Sequence, residues 1–513
     1  MPEDLPRHRV LRPLTALFVL LLPAVAPAQE DPGESAQDAA TESPTWPEAA
    51  VSRHSVTIGG RTLDYTAEAG TLELTEEQGD VKARMFYTAY TLDGVQDPAR
   101  RPVTFTFNGG PGSSSVWLHL GAFGPRIVRM DDEGFPLPPP GALADNEFSL
   151  LDVTDLVFID PVTTGYSRAA KGEDDHQYHG FEEDVEAVGE LIRLWTTKNE
   201  RWSSPKFLCG ESYGTTRAAG LAGHLQSRHG MYLSGIVLVS SILNFQTARF
   251  DVGNDLPHIL FLPTFAATAF YHGRLDEELS RDLEATLREV EEFAMGEYTL
   301  ALMRGSRLSA AARAGIATKL ARYTGLSEEY VLATNLRVNI RRFVKELRRD
   351  ERITVGRLDS RFTGLDRDAA GEGYEFDPSY AAIQGPFTAA ANDYFRTELG
   401  YENDLAYEIL TGRVHPWNYS NVEGRYLNVA ETLRGAMARN RDLDVYVANG
   451  YYDLATPYFA TQYTFDHLSL DTEYSDRVTM AFFPAGHMMY IQKDSLARLK
   501  QSIAAFYARA LER

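Results

Sequence analysis

Residues 205–225 read PKFLCGESYGTTRAAGLAGHL. The stretch starts as a short apolar strand and continues as a helix rich in small residues, with a sharp turn at residues 210–214 between them. In such a turn a side chain two positions before or after the central residue would clash, so glycine fits at both places and the central side chain is pushed outward. Gly210 and Gly214 meet this demand. The stretch therefore predicts that Ser212 is a nucleophile at the end of a buried strand.

Further β-rich runs lie on both sides of this stretch. They are residues 103–107, 155–159, 236–239, 445–448 and 478–483. Helical patterns separate several of them, and this alternation predicts an α/β fold with a largely parallel central sheet flanked by helices on both faces. Ligands bind such sheets outside the carboxyl ends of the strands. Alternating residues between 56 and 90 predict antiparallel strands at a sheet edge.

The length of 513 residues exceeds what one hydrophobic core usually serves. Between residues 244 and 401 the strand pattern gives way to helical patterns with several charge clusters. We therefore predict that residues 51–243 and 402–513 form the two parts of the sheet domain. Residues 244–401 are predicted to be a helix-rich cap insertion.

The amino terminus has the pattern of an export signal. Arginines at positions 7, 9 and 12 precede an apolar run at residues 14–25, which small residues follow. We predict a signal peptide over residues 1–28, and hence a periplasmic or extracellular protein. The run is shorter than the roughly 20 residues needed to span a bilayer, so no stable membrane insertion is expected after cleavage. Residues 29–50 are polar and predicted to be a flexible leader.

Charge and cysteine content exclude several classes of function. The chain carries 50 Lys and Arg against 72 Asp and Glu, a formal net charge of −22, so nucleic acid is not an expected partner. Cys209 is the single cysteine, which excludes intrachain disulfides and multi-cysteine metal sites. Its apolar surroundings predict a packing role. No metal and no organic cofactor is predicted.

A serine nucleophile needs a base, and the base needs a group that fixes its tautomer. Asp453 follows the run at 445–448, and His487 follows the run at 478–483. Both therefore fall on loops beyond late strands of the predicted sheet. The order Ser212, Asp453, His487 is the order used by α/β-hydrolases, so we predict that the sheet domain is an α/β-hydrolase domain.

An oxyanion hole, formed by backbone N–H groups, completes such a site. Residues 108–112 read NGGPG and follow the run at 103–107, where α/β-hydrolases have their oxyanion loop. The alternatives are an ordinary glycine-rich turn and a phosphate-binding loop. The second alternative fails because the Gly-Lys-Ser/Thr ending is missing.

With these motifs the chain resembles the serine carboxypeptidase family. The matching segments are residues 108–115 (NGGPGSSS), residues 210–214 (GESYG), Asp453 with Pro457, and residues 486–488 (GHM), with a looser match at Asp160-Pro161 and residues 165–167 (GYS). They occur in the family's order from about residue 100 to 495. The resemblance thus covers most of the chain after the leader.

The resemblance implies a role for each site residue. Ser212 is the nucleophile, His487 the base and then the acid, and Asp453 its orienting partner; the amides of Gly110 and Tyr213 form the oxyanion hole; Asn108, the Gly109 amide and Glu211 bind the substrate's terminal carboxylate. The expected activity is a serine-type carboxypeptidase that acts on peptides with a free C-terminus. A protonated Glu211 can donate to a carboxylate, whereas an ionised one would repel it.

Two positions depart from the family pattern. Ser113 stands where many members have a cysteine, and Ala122-Phe123 stand before Gly124-Pro125 where many have a second glutamate. Loss of that carboxylate should lower the proton affinity of Glu211, because like charges raise each other's pKa.

Two other functions remain open. An esterase or acyltransferase would use the same triad, and a non-catalytic binding protein would keep only the scaffold. Asn108 with Glu211 favours a substrate with a free carboxylate, and the intact triad disfavours a binding protein. Large apolar residues that flank the motifs are candidates either for the core or for substrate pockets: Trp117, Tyr213, Tyr451, Tyr452 and Met488.

Overall fold

The computed structural model describes residues 46–468 and 476–512. The predicted signal peptide, residues 1–28, and the predicted leader up to residue 45 lie outside these ranges. Across the described ranges no helix combines the length and the apolar character needed to cross a membrane.

The strands form one large mixed sheet and two small ones. They are β1 (Ala50–Ile58), β2 (Arg61–Thr75), β3 (Val81–Leu92), β4 (Val103–Phe107), β5 (Arg126–Val128), β6 (Leu143–Asp145), β7 (Asp155–Ile159), β8 (Arg168–Ala169), β9 (Lys206–Glu211), β10 (Gly235–Val239), β11 (Thr354–Val355), β12 (Thr363–Gly364), β13 (Asp444–Gly450) and β14 (Val478–Phe483). The large sheet has the order β1-β2-β3-β7-β4-β9-β10-β13-β14, with β8 beside β3. Strands β7 to β14 along this order pair in parallel, and β1 to β3 form the antiparallel edge. This confirms the predicted sheet and its antiparallel edge.

The helices lie on both faces of the sheet and in a long segment before β13. They are α1 (Val116–Leu118), α2 (Phe181–Lys198), α3 (Tyr213–His229), α4 (Leu256–Leu260), α5 (Leu262–Tyr271), α6 (Leu283–Phe293), α7 (Thr299–Arg304), α8 (Ala310–Thr324), α9 (Glu328–Ala333), α10 (Ile340–Glu346), α11 (Pro378–Asp393), α12 (Ala430–Arg439), α13 (Tyr458–Asp466) and α14 (Lys493–Leu511).

The central strands are buried on both faces, so their residues alternate between two cores. In β9, Phe207 and Cys209 face the core that contains α11 and α14, and Leu208 faces the core that contains α2, α3 and α12. The same alternation runs through β10 and β13. Cys209 is fully buried, which confirms its predicted packing role.

The segment between β10 and β13 packs in two ways. Residues between 260 and 355 form a core of their own, which also contains Tyr452, Leu454 and Tyr458 from the loop and helix after β13. Residues between 362 and 409, including α11, join the core on one face of the sheet. Packing therefore does not set off residues 244–401 as one separate unit. The predicted insertion boundaries stay a prediction.

The turn from β9 into α3 is the most constrained point of the backbone. Ser212 has φ 61° and ψ −128°, a backbone conformation that residues other than glycine seldom adopt. A Cβ atom at Gly210 would overlap the carbonyl of Gly214, and one at Gly214 would lie 2.7 Å from the Phe107 carbonyl oxygen. The glycines around Ser212 are therefore required by backbone atoms that cannot give way.

We expect Gly210→Ala to lower the free energy of unfolding by about 2 kcal/mol or more, because its Cβ meets backbone. Gly315→Ala is the matched control, since Gly315 lies in α8 with nothing within 4 Å of an added Cβ. That change should stabilise the protein by up to about 1 kcal/mol. Urea unfolding of both variants measures the difference. Equal effects of the two substitutions would contradict this account of the turn.

Candidate active site

The predicted site residues follow strands that are neighbours in the sheet. Asn108 follows β4, Ser212 follows β9, Asp453 follows β13 and His487 follows β14. Because these strands are parallel, their carboxyl ends meet at one edge. The fold thus brings four segments that are far apart in sequence to one place.

His487 and Asp453 form a buried pair. His487 Nδ1 lies 2.7 Å from Asp453 Oδ2, and both side chains are almost fully buried. The Asp453 carboxylate also accepts hydrogen bonds from the Ala455 and Thr456 amides and from the Thr456 hydroxyl. These donors hold the carboxylate in place, so it can fix the imidazole with Nε2 free for chemistry.

The electrostatics of this pair favour a charged imidazole. Burial by itself lowers the pKa of His487, but the charge and hydrogen bond of Asp453, with a smaller contribution from Glu211, outweigh it. The pKa of His487 therefore lies above its ordinary value. A base with this property takes up a proton readily.

Ser212 lies at the start of α3, and two backbone amides near it are free. The Ser212 amide itself is bound to the Val239 carbonyl at 3.0 Å. The amides of Gly110 and Tyr213 donate to no acceptor within the described ranges. Tyr213 is buried and Gly110 is exposed, and Ser212 between the two segments is partly exposed. Two unpaired N–H groups at this place are suited to an external oxygen.

The NGGPG loop packs directly on the turn that carries Ser212. A Cβ atom at Gly109 would overlap the Tyr213 backbone nitrogen. The buried Arg217 fixes the loop from behind, since it pairs with Asp184 at 2.7 Å and donates to the Asn108 carbonyl oxygen at 2.5 Å. The loop and the turn are therefore positioned by the same contacts.

Glu211 is buried next to this centre and has an altered pKa. Burial raises the pKa of Glu211 to about 7, although His487 and hydrogen bonds from Tyr490 and Asn108 oppose the rise. Tyr490 Oη lies 2.5 Å from Glu211 Oε2. Asn108 Oδ1 accepts a hydrogen bond from the Leu118 amide. The NH2 group of Asn108 therefore points to the opposite side, away from Leu118. Glu211 thus holds a proton in mildly acidic solution.

A cavity of about 450 Å³ opens above these groups. Its lining includes six predicted site residues, namely Asn108, Gly109, Gly110, Glu211, Ser212 and His487. Asp453 and Tyr213 do not line the cavity, and Asp453 is bonded to His487, which does. The other walls include Trp117, Arg357, Leu358, Tyr374, Asp377, Tyr380, Ile383, Leu410 and Met488.

The five large apolar candidates fall into two groups, one that lines the cavity and one that packs in the protein interior. Trp117 and Met488 line the cavity. The Tyr213 ring packs against Val414 and Trp417, and Tyr451 and Tyr452 pack against the core of the insertion. Sequence position next to a motif did not separate these two groups.

Two residues of the site were not predicted. Tyr490 donates to Glu211, and Arg357 carries a charge on the cavity wall. Tyr490 stands three positions after His487, which is the one sequence signal that could have pointed to it. Arg357 lies in the predicted cap, among several arginines, and nothing in the sequence distinguishes it from them.

The site offers no evident metal ligands. Within residues 46–468 and 476–512, no cluster of three or more His, Cys, Asp or Glu side chains is arranged to hold a metal ion.

A family model described as serine carboxypeptidase matches residues 60–481. Serine carboxypeptidase-like 19 of Arabidopsis thaliana is 29% identical over 158 residues, which cover 29% of this chain and 31% of that protein. A pheromone-processing carboxypeptidase of Saccharomyces cerevisiae is 34% identical over 148 residues, which cover 28% of this chain and 19% of that protein. The matches thus span about a third or less of these relatives.

A solved structure shares the fold. The crystal structure of a prohormone-processing carboxypeptidase from Saccharomyces cerevisiae superposes with a TM-score of 0.55 and 18% identity, covering 86% of this chain and 91% of that one. With the family match, this confirms the predicted resemblance and the predicted α/β-hydrolase fold.

We expect Ser212 to react with a fluorophosphonate at a rate that rises with pH, because His487 must be neutral to accept the proton. Since Asp453 raises the pKa of His487, the midpoint should lie above about 6.5. Asp453→Asn should slow labelling about a thousandfold or more. Asp393→Asn, at an exposed carboxyl, is the control and should leave the rate unchanged. Equal labelling of both variants would contradict the role of Asp453.

Proposed function

Because the chain belongs to the serine carboxypeptidase family, we propose that it removes C-terminal amino acids from peptides through an acyl-enzyme on Ser212. The observation that carries this proposal is the position of Glu211. A buried carboxyl that keeps its proton near neutral pH lines the same cavity as Ser212 and His487. Such a group is suited to a substrate carboxylate and would serve no purpose toward a neutral ester.

The chemistry runs through two steps. His487 takes the proton of the Ser212 hydroxyl as its oxygen attacks the scissile carbonyl, and then gives it to the leaving amine. In the second step water attacks the acyl-enzyme while His487 takes its proton; the ester bond to Ser212 then breaks, and His487 returns the proton to the serine oxygen. The free amides of Gly110 and Tyr213 bind the oxyanion in both steps, and Asp453 stabilises the imidazolium.

Recognition of the chain end is the second part of the proposal. The Asn108 amide, the Gly109 N–H and the Glu211 hydroxyl would each donate to the terminal carboxylate. This set carries no formal positive charge, so binding depends on the proton of Glu211. The affinity for the peptide should therefore be retained at pH values below about 7, the pKa of Glu211. It should fall as the pH rises through this value and Glu211 loses its proton.

Cell location is proposed from the amino terminus. Residues 1–28 have the charged, apolar and small-residue order of a signal peptide, which supports export to the periplasm or the extracellular space. An exported peptidase would meet peptides rather than nucleic acid, in keeping with the net charge of −22.

The main alternative is an esterase or acyltransferase with the same triad. Nothing in the triad geometry separates the two, because both reactions pass through an acyl-enzyme. The carboxyl of Glu211 favours the peptidase. A binding protein is disfavoured, since the Asp453–His487 pair and the free amides would have no function in it.

The test is mass spectrometry of a peptide mixture incubated with the purified protein at about pH 4 to 8. Each peptide is supplied with a free and with an amidated C-terminus, and Ser212→Ala is run in parallel. We expect stepwise loss of C-terminal residues from the free peptides alone, and none with the variant. A protein that labels at Ser212 but releases no amino acid would move the function to esters or acyl acceptors.

Tyr490→Phe should shift the pH dependence upward. The Tyr490 hydroxyl lowers the pKa of Glu211, so its removal raises that pKa and Glu211 keeps its proton to higher pH. The rise of KM with pH for a free-carboxylate peptide should move to higher pH, with kcat little changed. Tyr507→Phe, which removes another buried hydroxyl bound to Thr104, is the control and should show no shift. A KM raised equally at every pH would show instead that Tyr490 binds substrate directly.

A further inference from the structure

Arg357 brings a permanent positive charge to the cavity wall. It lies between β11 and α11 and lines the cavity with Ser212 and His487. Its guanidinium forms no hydrogen bond and no ion pair with any residue of the described ranges. None of its nitrogens is buried without a partner, so they reach the solvent of the cavity.

The nearest acidic group in this wall is already engaged. The Asp377 carboxylate accepts from the amides of Arg357, Leu358 and Ser379 and from the Ser379 hydroxyl. It caps the start of α11 with these bonds and forms no ion pair with the Arg357 guanidinium. Asp377 offsets part of the charge of Arg357 but leaves its donors free.

The surrounding wall offers no other ionic partner. Trp117, Tyr380, Ile383, Leu410 and Met488 give it an apolar lining. The remaining carboxyl in the described lining is Glu211, which holds a proton up to about pH 7 and is bonded to Tyr490. A cation with five free donors on an apolar wall is matched by a carboxylate, which a guanidinium can bind with two parallel hydrogen bonds.

We propose that Arg357 binds a side-chain carboxylate of the substrate, so that the protein prefers peptides with Glu or Asp at one of the two residues that flank the scissile bond. This rests on the proposed function and adds the substrate class. The terminal carboxylate already has its own donors at Asn108, Gly109 and Glu211, on the strand-end side of the cavity. Arg357 comes from the insertion side, and a second carboxylate is what it is free to receive.

The position of Arg357 ties this side chain to the reacting centre. The His487 amide donates to the carbonyl of Leu358, the next residue, at 2.7 Å. The positive charge of Arg357 is also close enough to lower the pKa of His487, in opposition to the stronger effect of Asp453. A side chain that reaches Arg357 therefore belongs to a residue next to the bond that His487 helps to break.

The test compares tripeptides with a blocked N-terminus and a free C-terminus. They carry Glu, Gln or Lys at the last or at the penultimate position and alanine elsewhere. For the protein we expect kcat/KM to be about tenfold higher for Glu than for Gln at one of these positions. Arg357→Gln should abolish that ratio, and Arg357→Lys should keep part of it. Arg413→Gln, at an arginine paired with Asp175, removes the same charge outside the cavity and should keep the full ratio.

A second readout separates the two proposals. The same peptides are used at high concentration to protect Ser212 from a fluorophosphonate, which needs binding but no cleavage. If no peptide is cleaved and the Glu peptides still protect through Arg357, the proposed function fails and the acidic preference stands. A Glu to Gln ratio near one at both positions, in both readouts, overturns the preference. So does an equal loss for all free-carboxylate peptides in Arg357→Gln, because Arg357 would then bind the chain end.

Discussion

The structure depends on the turn at Ser212, where a residue other than glycine is held at positive φ between two glycines. Such a conformation is unfavourable by about 1–3 kcal/mol and persists because the surroundings allow nothing else. The Ser212 amide is tied to β10, and its carbonyl oxygen accepts from the Thr215 amide at 2.9 Å. The NGGPG loop lies against the Tyr213 amide from the other side. One packing arrangement thus sets the nucleophile and the proposed oxyanion donors together.

Much of this could be predicted because the parallel strands are buried on both faces and are short. Strands 103–107 and 155–159 are buried along their whole length, and their predicted bounds equal the observed ones. The site residues could be predicted because each one follows such a strand. Tyr490 and Arg357 could not, since their roles depend on contacts with Glu211 and on a cavity that exists only after the segment between β10 and β13 has packed. Sequence distance hides such contacts, as Glu211 and Tyr490 are separated by 279 positions.

The proton of Glu211 shows how burial can replace a missing charge. The absence of the second glutamate predicts a lower pKa for Glu211 than in relatives that have both carboxyls. Burial is the largest cause of the raised pKa, and the charge of Asp453 adds a smaller rise. The hydrogen bonds from Tyr490 and Asn108 act the other way, because they stabilise the ionised form. The charge of His487 acts in the same direction as these donors, so the pKa of about 7 is a balance between desolvation on one side and His487, Tyr490 and Asn108 on the other.

The segment at residues 357–361 is where substrate choice and catalysis meet. Leu358 accepts from the His487 amide, Asp359 accepts from the Gly486 amide at 3.1 Å, and the Ser360 amide donates to the Tyr452 carbonyl oxygen at 3.0 Å. The loops of both His487 and Asp453 are therefore fastened to the segment that also presents Arg357. The core of the insertion also contains Tyr452 and Leu454, on either side of Asp453, so the insertion packs against the loop of this residue. A shift of the backbone at 357–361 would therefore move the cavity wall together with the base and its partner.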